Sequence, residues 1–321
     1  MSMPEWPFRA AEAVANGELT PRELRRLYSG VYPGVWVPRG VELSARQRAK
    51  AAWLWSRRQG VLAGLSASAT LGAKWVKAGL PAELVHRNLR APAGITVYND
   101  HLPITEIGVV AGMRATTPAR TAFDLGRRLP LVEGVQRIDA LLNATGNKVA
   151  DVEAVMAAHP GVRGLRQLRE TLALVDDGAE SPYESLTRVL LVQAGFPPPE
   201  TQIEVRDEFG VVFARLDFGW REFGVGVDFD GAHHWTDSRQ RTWDVERYAR
   251  LPELGWMDIR VTAGMLHNTP RVVIERVGAA LIARGCPRRG EPAYSSAAAA
   301  RREGNGNVDD GRSAPTSPGY E

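Results

Sequence analysis

The sequence predicts a two-domain α+β chain with α/β character: a winged helix-turn-helix and a small α/β segment first, then a mixed β-sheet flanked by helices. Three observations carry this. Ala214 to Phe229 alternates apolar and polar residues on either side of Arg221-Glu222, the pattern of two strands joined as a hairpin. The chain opens with helix, turn, basic helix and two short strands around Pro33-Gly34, which is the order of a winged helix-turn-helix. Asp176-Asp177-Gly178 then closes a run of helical patterns before a new capping sequence at Ser181, and 321 residues suffice for two cores.

Composition narrows the class. A hydrophobic content of 44% supports real cores. A single cysteine, Cys286, excludes a disulfide framework and fits a reducing, cytoplasmic setting. No run of 18 apolar residues exists and Met1 to Arg9 lacks an apolar signal core, so no membrane partner is expected. A formal net charge of +3 permits a nucleic-acid partner without requiring one.

Residues 1–65 are assigned to the winged module. Ala10 to Asn16 forms a short helix closed by Gly17. Thr20-Pro21-Arg22-Glu23 has capping-box spacing, with proline at the first helical position. Leu24 and Leu27 give the following helix an apolar side; Arg22, Arg25 and Arg26 give it a basic one. Residues 1–60 hold ten Lys/Arg against five Glu, so these three arginines are the candidate contacts to double-stranded DNA. Leu43 to Gln59 is a further helix, basic on one side, with Trp53 in the core and Trp55 partly exposed.

Residues 66–130 are read as the small α/β segment. Ser66 to Trp75 is a helix capped by Ser66, and strands follow at Glu83 to Arg87, Gly94 to Tyr98 and Glu106 to Val110. Thr117-Pro118 starts a helix on which Arg120 and Asp124 form a structural pair. Residues 131–178 are a helical connector, with helices at Leu131 to Leu142, Ala150 to Ala158 and Val162 to Leu174.

The second domain, residues 179–284, begins at Ser181-Pro182-Tyr183-Glu184, where Ser181 caps and Glu184 completes a capping box. Gln202 to Val205 is its first strand. With Arg221-Glu222 as a two-residue loop, Ala214, Leu216, Phe218 and Trp220 share an apolar face with Phe223, Val225, Val227 and Phe229. Arg215, Asp217, Asp228 and Asp230 take the other face. Asp217 is then diagonal to Asp228, about 7–8 Å away, close enough for both side chains to reach one ion. A one-residue slip would bury the carboxylates and expose phenylalanine, so the apolar pattern fixes the acid cluster too. A helix over about Asp237 to Leu254, a strand at Met257 to Thr262 and a closing helix at Pro270 to Arg284 complete the sheet. On the first of these helices Asp244 can meet Arg247, leaving Arg239 for a phosphate or for the Glu and Asp of the site; Arg239 and Arg247 join the nucleic-acid-binding set. Residues 285–321 lack large apolar residues and are expected to be disordered.

Two resemblances follow from these motifs. Residues 15–130 are similar to the AbiEi-type antitoxin and transcriptional-regulator family, through Leu19-Thr20-Pro21-Arg22-Glu23-Leu24, Gly30-Val31-Tyr32, Leu65-Ser66-Ala67 and Thr117 to Leu125. Residues 180–284 resemble the restriction-endonuclease-like superfamily, in particular the bacterial group related to very-short-patch-repair endonucleases. The carrying residues are Ser181 to Glu184, Arg188, Ala214 to Asp217, Asp228 to His234, Arg239, Asp244, Arg247 and Gly255 to Thr262. The second resemblance implies Asp217 and Asp228 as catalytic acids, Glu184 as their helix-borne support and His234 as the motif histidine. Where the superfamily's usual lysine would stand, this chain has Asp230.

The residues fit that chemistry. Phosphodiester hydrolysis needs a neutralised phosphate, an activated water and a protonated leaving oxygen. Carboxylate oxygens of Asp217 and Asp228 suit Mg²⁺, which keeps waters for attack; the Asp/His mixture also suits Mn²⁺, and Zn²⁺ stays open. His234 titrates near neutral pH and suits general acid or base work. The leading expectation is a metal-dependent DNA endonuclease with an amino-terminal DNA-binding module. The alternative is a non-catalytic antitoxin-like or transcriptional regulator that keeps the endonuclease-like fold, acting on its own promoter or a cognate toxin; a third is an RNA target.

Overall fold

The computed structural model describes residues 4–88, 90–230 and 250–286. The chain begins with β1 (Phe8–Arg9), α1 (Ala10–Ala15), α2 (Pro21–Leu27), β2 (Tyr28–Tyr32) and β3 (Val35–Pro38). The three strands form an antiparallel sheet in the order β1-β3-β2. The β2–β3 turn takes its bend from Pro33-Gly34, with Gly34 at φ +78°. Thr20 caps α2 as its sequence requires: its hydroxyl accepts from the Glu23 N–H, and the Glu23 carboxylate accepts from the Thr20 N–H. Leu24 turns inward against Phe8, Leu19 and Tyr28.

α3 (Ala45–Trp55) is capped by Ser44 with Gln47 and buries a small-residue face of Ala49, Ala51 and Ala52. Small side chains let the helix lie close against two partners at once. One is the three-stranded sheet, through Tyr32 and Val35; the other is a five-stranded sheet, through Leu62, Leu84, Ile95 and Ala115. That sheet holds β4 (Val61–Leu62), β5 (Ala82–Val85), β6 (Ile95–Tyr98), β7 (Ile107–Val110) and β8 (Met113–Thr116), in the order β6-β5-β4-β8-β7. Trp53 and Trp55 are both only partly buried.

α4 (Gly64–Thr70) starts earlier than expected, so Ser66 is no cap. Its hydroxyl is buried inside the helix and accepts the Glu83 N–H at 2.9 Å. Glu83 instead supplies the cap, its carboxylate accepting the Leu65 N–H. Helices α5 (Pro118–Arg128), α6 (Leu131–Thr145), α7 (Val149–Ala158) and α8 (Leu165–Leu172) pack with Leu65 around Phe123, Ile138, Leu141 and Leu168. The expected Arg120–Asp124 pair forms at 3.0 Å within a buried network with Glu106, whose other oxygen lies 2.6 Å from His159 Nε2.

The second half opens with α9 (Pro182–Gln193). A mixed sheet of β9 (Glu200–Arg206), β10 (Val212–Trp220), β11 (Val225–Asp230) and β12 (Met257–Thr262) follows, then α10 (Ala263–Asn268) and α11 (Pro270–Ala283). Its order is β12-β11-β10-β9, with β11 and β12 parallel and the other pairs antiparallel. α9 also docks on α6. The buried Arg188 donates to buried Asp139 at 2.7 Å, and Ser185 Oγ donates to the same oxygen at 2.7 Å. The Asp176 N–H reaches the second Asp139 oxygen at 2.8 Å. No described helix is long and apolar enough to cross a membrane.

The hairpin departs from expectation in two ways. Its loop is not Arg221-Glu222 alone: Arg221–Phe223 form a turn of 3-10 helix and Gly224, at φ +59°, closes it. Pairing therefore runs Trp220↔Val225 and Phe218↔Val227, two residues from the expected register. A two-residue slip conserves the alternation of faces, so the acid face of β11 survives. The single apolar face of β10 does not. Phe218 and Trp220 pack with Val225, Val227 and α11, whereas Ala214 and Leu216 pack with Leu251 and Trp256 in another core. A Cβ on Gly226 would lie 2.5 Å from Leu216 Cδ1, which puts Leu216 on the opposite side from Phe218. The strand changes sides at Asp217, beside Gln202 of β9, itself at φ +52°.

Candidate acid centre and basic helix face

The acid centre is built where β10 and β11 separate. Their ladder runs from Trp220↔Val225 to Phe218↔Val227. One step further, Asp217 and Asp228 come opposite each other rather than diagonal, as the shifted register requires. The Asp217 N–H donates to Asp228 Oδ1 at 2.9 Å, and the Phe229 N–H donates to Asp217 Oδ2 at 2.7 Å. Parting strands would leave these main-chain donors without carbonyls, and the carboxylates fill the gap.

Glu184 approaches from α9. Its ring-bearing neighbour Tyr183 stacks on Phe229 of β11, with centroids 4.7 Å apart and planes 5° from parallel, which fixes the helix against the strand. Ser181 caps the helix through the Glu184 N–H at 3.2 Å. The expected capping box is not completed: the Glu184 carboxylate passes Ser181 and accepts the Glu180 N–H at 2.8 Å. Glu180 in turn meets Arg215 at 3.1 Å.

Asp217, partly buried, and Glu184, buried, share one neighbourhood with Asp228 and resist ionisation. Burial pushes the Asp217 carboxyl up to about 7, and the charges of Glu184 and Asp228 push it the same way; the Phe229 N–H pulls back. Burial also raises Glu184, against the Glu180 N–H and the Ser181 hydroxyl.

Asp230 stands apart from this trio in its partner. Arg260 of β12 lies 3.5 Å from it, opposite Asp228 in the parallel register. Sequence reading offered Arg239 to the acids of the site and gave Arg260 no role. The signal was present in the alternation of Met257–Thr262, which sets Asp258, Arg260 and Thr262 on one side, but only the β11–β12 pairing shows which side. His234, Arg239 and Arg247 lie outside the described residues.

Among the described residues, no group of three or more His, Cys, Asp or Glu is arranged to hold a metal ion. Asp217 and Asp228 contribute a pair of hard oxygen donors. The pair fits a divalent cation in charge and donor type, because a cation would relieve the repulsion that raises Asp217.

The second candidate region is the outer face of α2. Arg22, Arg25 and Arg26 are all exposed on it, at the helical spacing of one stripe, while Leu24 anchors the other side. Leu27, expected inside, is 41% exposed. The Arg25 carbonyl accepts from Arg39 Nη2 at 2.8 Å, so the residue just after β3 braces the end of this helix.

Comparison with known proteins places part of the chain. Residues 57–174 match the family described as AbiEi antitoxin C-terminal domain. Two curated relatives are uncharacterised proteins of Mycobacterium tuberculosis, MT2308 from strain CDC 1551 / Oshkosh and Rv2248 from strain ATCC 25618 / H37Rv. Each is 29% identical over 168 residues, covering 52% of this chain and 62% of the relative. The chain therefore spans about three fifths of the length of the curated relatives it matches. No solved structure matches. The family match runs from the end of α3 through α8, so it takes in the helices of residues 131–174 together with the sheet they cover.

Proposed function

We propose that the protein is a DNA-binding, antitoxin-type regulator. The observation that carries this reading is the likeness of residues 57–174 to an antitoxin domain, directly following a unit whose α2 presents Arg22, Arg25 and Arg26 outward. In this reading the first unit is a winged helix-turn-helix. α2 is held rigidly by its cap and its leucine, so the three guanidinium groups meet phosphates along duplex DNA without ordering a flexible segment first. The antitoxin-like domain then engages a cognate toxin or sets the regulator on its own promoter. Gel-shift titration of the full chain on the DNA upstream of its gene tests this. Saturable binding that Arg22→Ala/Arg25→Ala/Arg26→Ala weakens supports the reading; equal binding by both proteins removes it.

A second reading, a metal-dependent nuclease of the endonuclease-like group, is favoured by one specific feature. Asp217 is partly buried beside two further carboxylates and pushed up to about 7, an arrangement that a divalent cation would relax. Asp217 and Asp228 would hold Mg²⁺ or Mn²⁺, which supplies charge neutralisation at a phosphate. Glu184 would hold the acid pair in place, and Arg260 would bring the positive charge that Asp230 does not. His234 keeps its proposed acid–base role, and Arg239 and Arg247 theirs toward phosphates. The acid pair also has a structural task, the capping of Asp217 and Phe229 N–H groups, and Asp230 has a cationic partner. Both facts account for the acids without catalysis, which sets this reading second. Incubation of the full chain with plasmid and Mg²⁺ or Mn²⁺ decides it: nicking by wild type that Asp217→Ala abolishes supports the nuclease, and an intact plasmid with either metal rejects it.

A further inference from the structure

Trp75 has no account in either reading. It is 54% exposed, on a loop between α4 and β5, and its backbone sits at φ +68°. That conformation is unfavourable for a side chain with a Cβ, and an exposed indole gains nothing from burial in return. Strain that folding does not need is held where a surface uses it. The strained backbone is also braced: Arg137 Nη1, from α6, donates to the Trp75 carbonyl at 2.7 Å.

Trp75 lines a cavity of about 150 Å³ between the antitoxin-like half and the start of α9. Its lining mixes alanines with the amides of Gln136 and Asn143, whose N–H groups donate to the Pro182 and Asp177 carbonyls, and with the hydroxyls of Ser181 and Ser185, which serve the α9 cap and Asp139. Lys74 reaches the same cavity, and Lys77 is exposed on the same loop. Glu180 is the carboxylate in the lining, and Arg215 pairs with it. The volume is below the usual size of a drug-like ligand site and suits a single ring system. A flat apolar platform, amide and hydroxyl groups at its edge, and lysines on either side in sequence match the chemistry of one nucleotide: a face to stack, an edge to hydrogen-bond and a phosphate to neutralise.

We propose that Trp75 is a stacking platform for an unpaired base of single-stranded nucleic acid. The base edge enters the cavity, and the flanking phosphates meet Lys74 and Lys77. The site is separate from the α2 stripe and does not depend on the acid pair. Duplex DNA hides its base faces, so the platform reads only unpaired strands. The lysines favour nucleic acid over a protein partner, for which an exposed tryptophan alone would serve.

The test uses the full chain and a fluorescein-labelled oligothymidine strand, followed by anisotropy, with a duplex of random sequence as control. Trp75→Gly is the informative variant, because glycine adopts this φ without strain. Its melting temperature should equal or exceed that of wild type, while its affinity for the single strand falls roughly 5- to 150-fold. Trp75→Phe, which keeps a ring face, should retain most of the affinity, and duplex binding should not change. Three results would overturn the proposal: no binding of the strand by wild type, equal binding by wild type and Trp75→Gly, or parallel loss for strand and duplex. Equal binding would mark the exposed ring as a protein contact instead.

Discussion

Asp217 and Asp228 cap each other's strands. The Asp217 N–H donates to the Asp228 carboxylate at 2.9 Å, and the Asp217 carboxylate accepts from Phe229, the residue after Asp228, at 2.7 Å. The exchange occurs where the β10–β11 ladder ends and where β10 changes the core it faces. Two acids thus replace two missing carbonyls. The replacement is good for the main chain and poor for the side chains, since it brings negative charges together in a buried place. Whether a proton or a cation relieves that conflict separates the two functional readings.

The first prediction concerns the proton. The Asp217 carboxyl titrates at about 7 in the folded protein against an ordinary 3.8, so the native state holds its proton over that interval and the unfolded chain does not. Its contribution to stability is complete below the lower value and is lost as pH rises through the upper one. Asp139 and Glu184, also raised by burial, act in the same direction. Asp217→Asn isolates one group: the amide stays neutral and keeps an oxygen for the Phe229 N–H. The variant should melt above wild type by a few degrees at about pH 8, at roughly 2–4 °C per kcal/mol, and no higher at about pH 4. Differential scanning calorimetry at the two pH values reads this directly. A variant that melts below wild type at the higher pH would show that Asp217 stabilises the fold through its charge.

How much of this was legible in the sequence depends on which force sets each feature. Local capping was: Thr20 with Glu23 and Thr117 with Arg120 form as their spacing implies, because the partners are three residues apart. The acid face of β11 was too, since alternation survives a two-residue slip. The hairpin loop was not, because Gly224 in the left-handed region lengthens it and Arg221-Glu222 looks the same in either turn. Ser66 was misread because a distant carboxylate, Glu83, took the capping role. The change of side at Asp217 was invisible for a similar reason. It rests on Gln202 of another strand and on Leu251 and Trp256, which give Leu216 an alternative core. Arg260 could be placed only through parallel pairing, which no local pattern encodes.

The second prediction concerns the junction of the two halves. Asp139 of α6 and Arg188 of α9 are both buried, and Ser185 and Asp176 complete the carboxylate's bonds. Removing one partner strands a buried charge. Asp139→Ala should therefore lower stability by about 3–5 kcal/mol, and Asp139→Leu/Arg188→Met should recover most of that loss. Urea unfolding midpoints of the three proteins check it. A double variant as unstable as the single one would mean that the pair's specific geometry, not the lone charge, holds α9 on α6.

The third prediction concerns α2. Each arginine that meets a duplex phosphate adds about 0.9 to the slope of log affinity against log salt. Replacing Arg22, Arg25 and Arg26 together should flatten that slope by two to three such steps, by about 1.8–2.7 units in all, and leave the melting temperature unchanged, since all three are exposed. Anisotropy titrations over a range of salt concentrations give the slopes. An unchanged slope would move the DNA contact off this helix.

The last prediction concerns the cation and decides between the readings. In the nuclease reading, Mn²⁺ binds the folded acid pair and stabilises it by mass action, by about 2.7 kcal/mol at a hundredfold excess over the dissociation constant. Protons compete for the same oxygens. With Asp217 at about 7, affinity should fall roughly tenfold for each pH unit below that value and level off above it. Asp217→Asn then has opposite effects in one experiment: without metal it melts higher than wild type at about pH 8, and with Mn²⁺ it gains nothing. A simple structural role for Asp217 cannot produce that crossing, because a variant damaged in folding melts lower under both conditions. The regulator reading gives a different pair of curves. The acids act there as strand caps, so Mn²⁺ leaves both proteins unmoved at every pH while the variant's metal-free gain persists. A thermal-shift titration of wild type and Asp217→Asn with Mn²⁺, at pH values on both sides of 7, distinguishes the two outcomes.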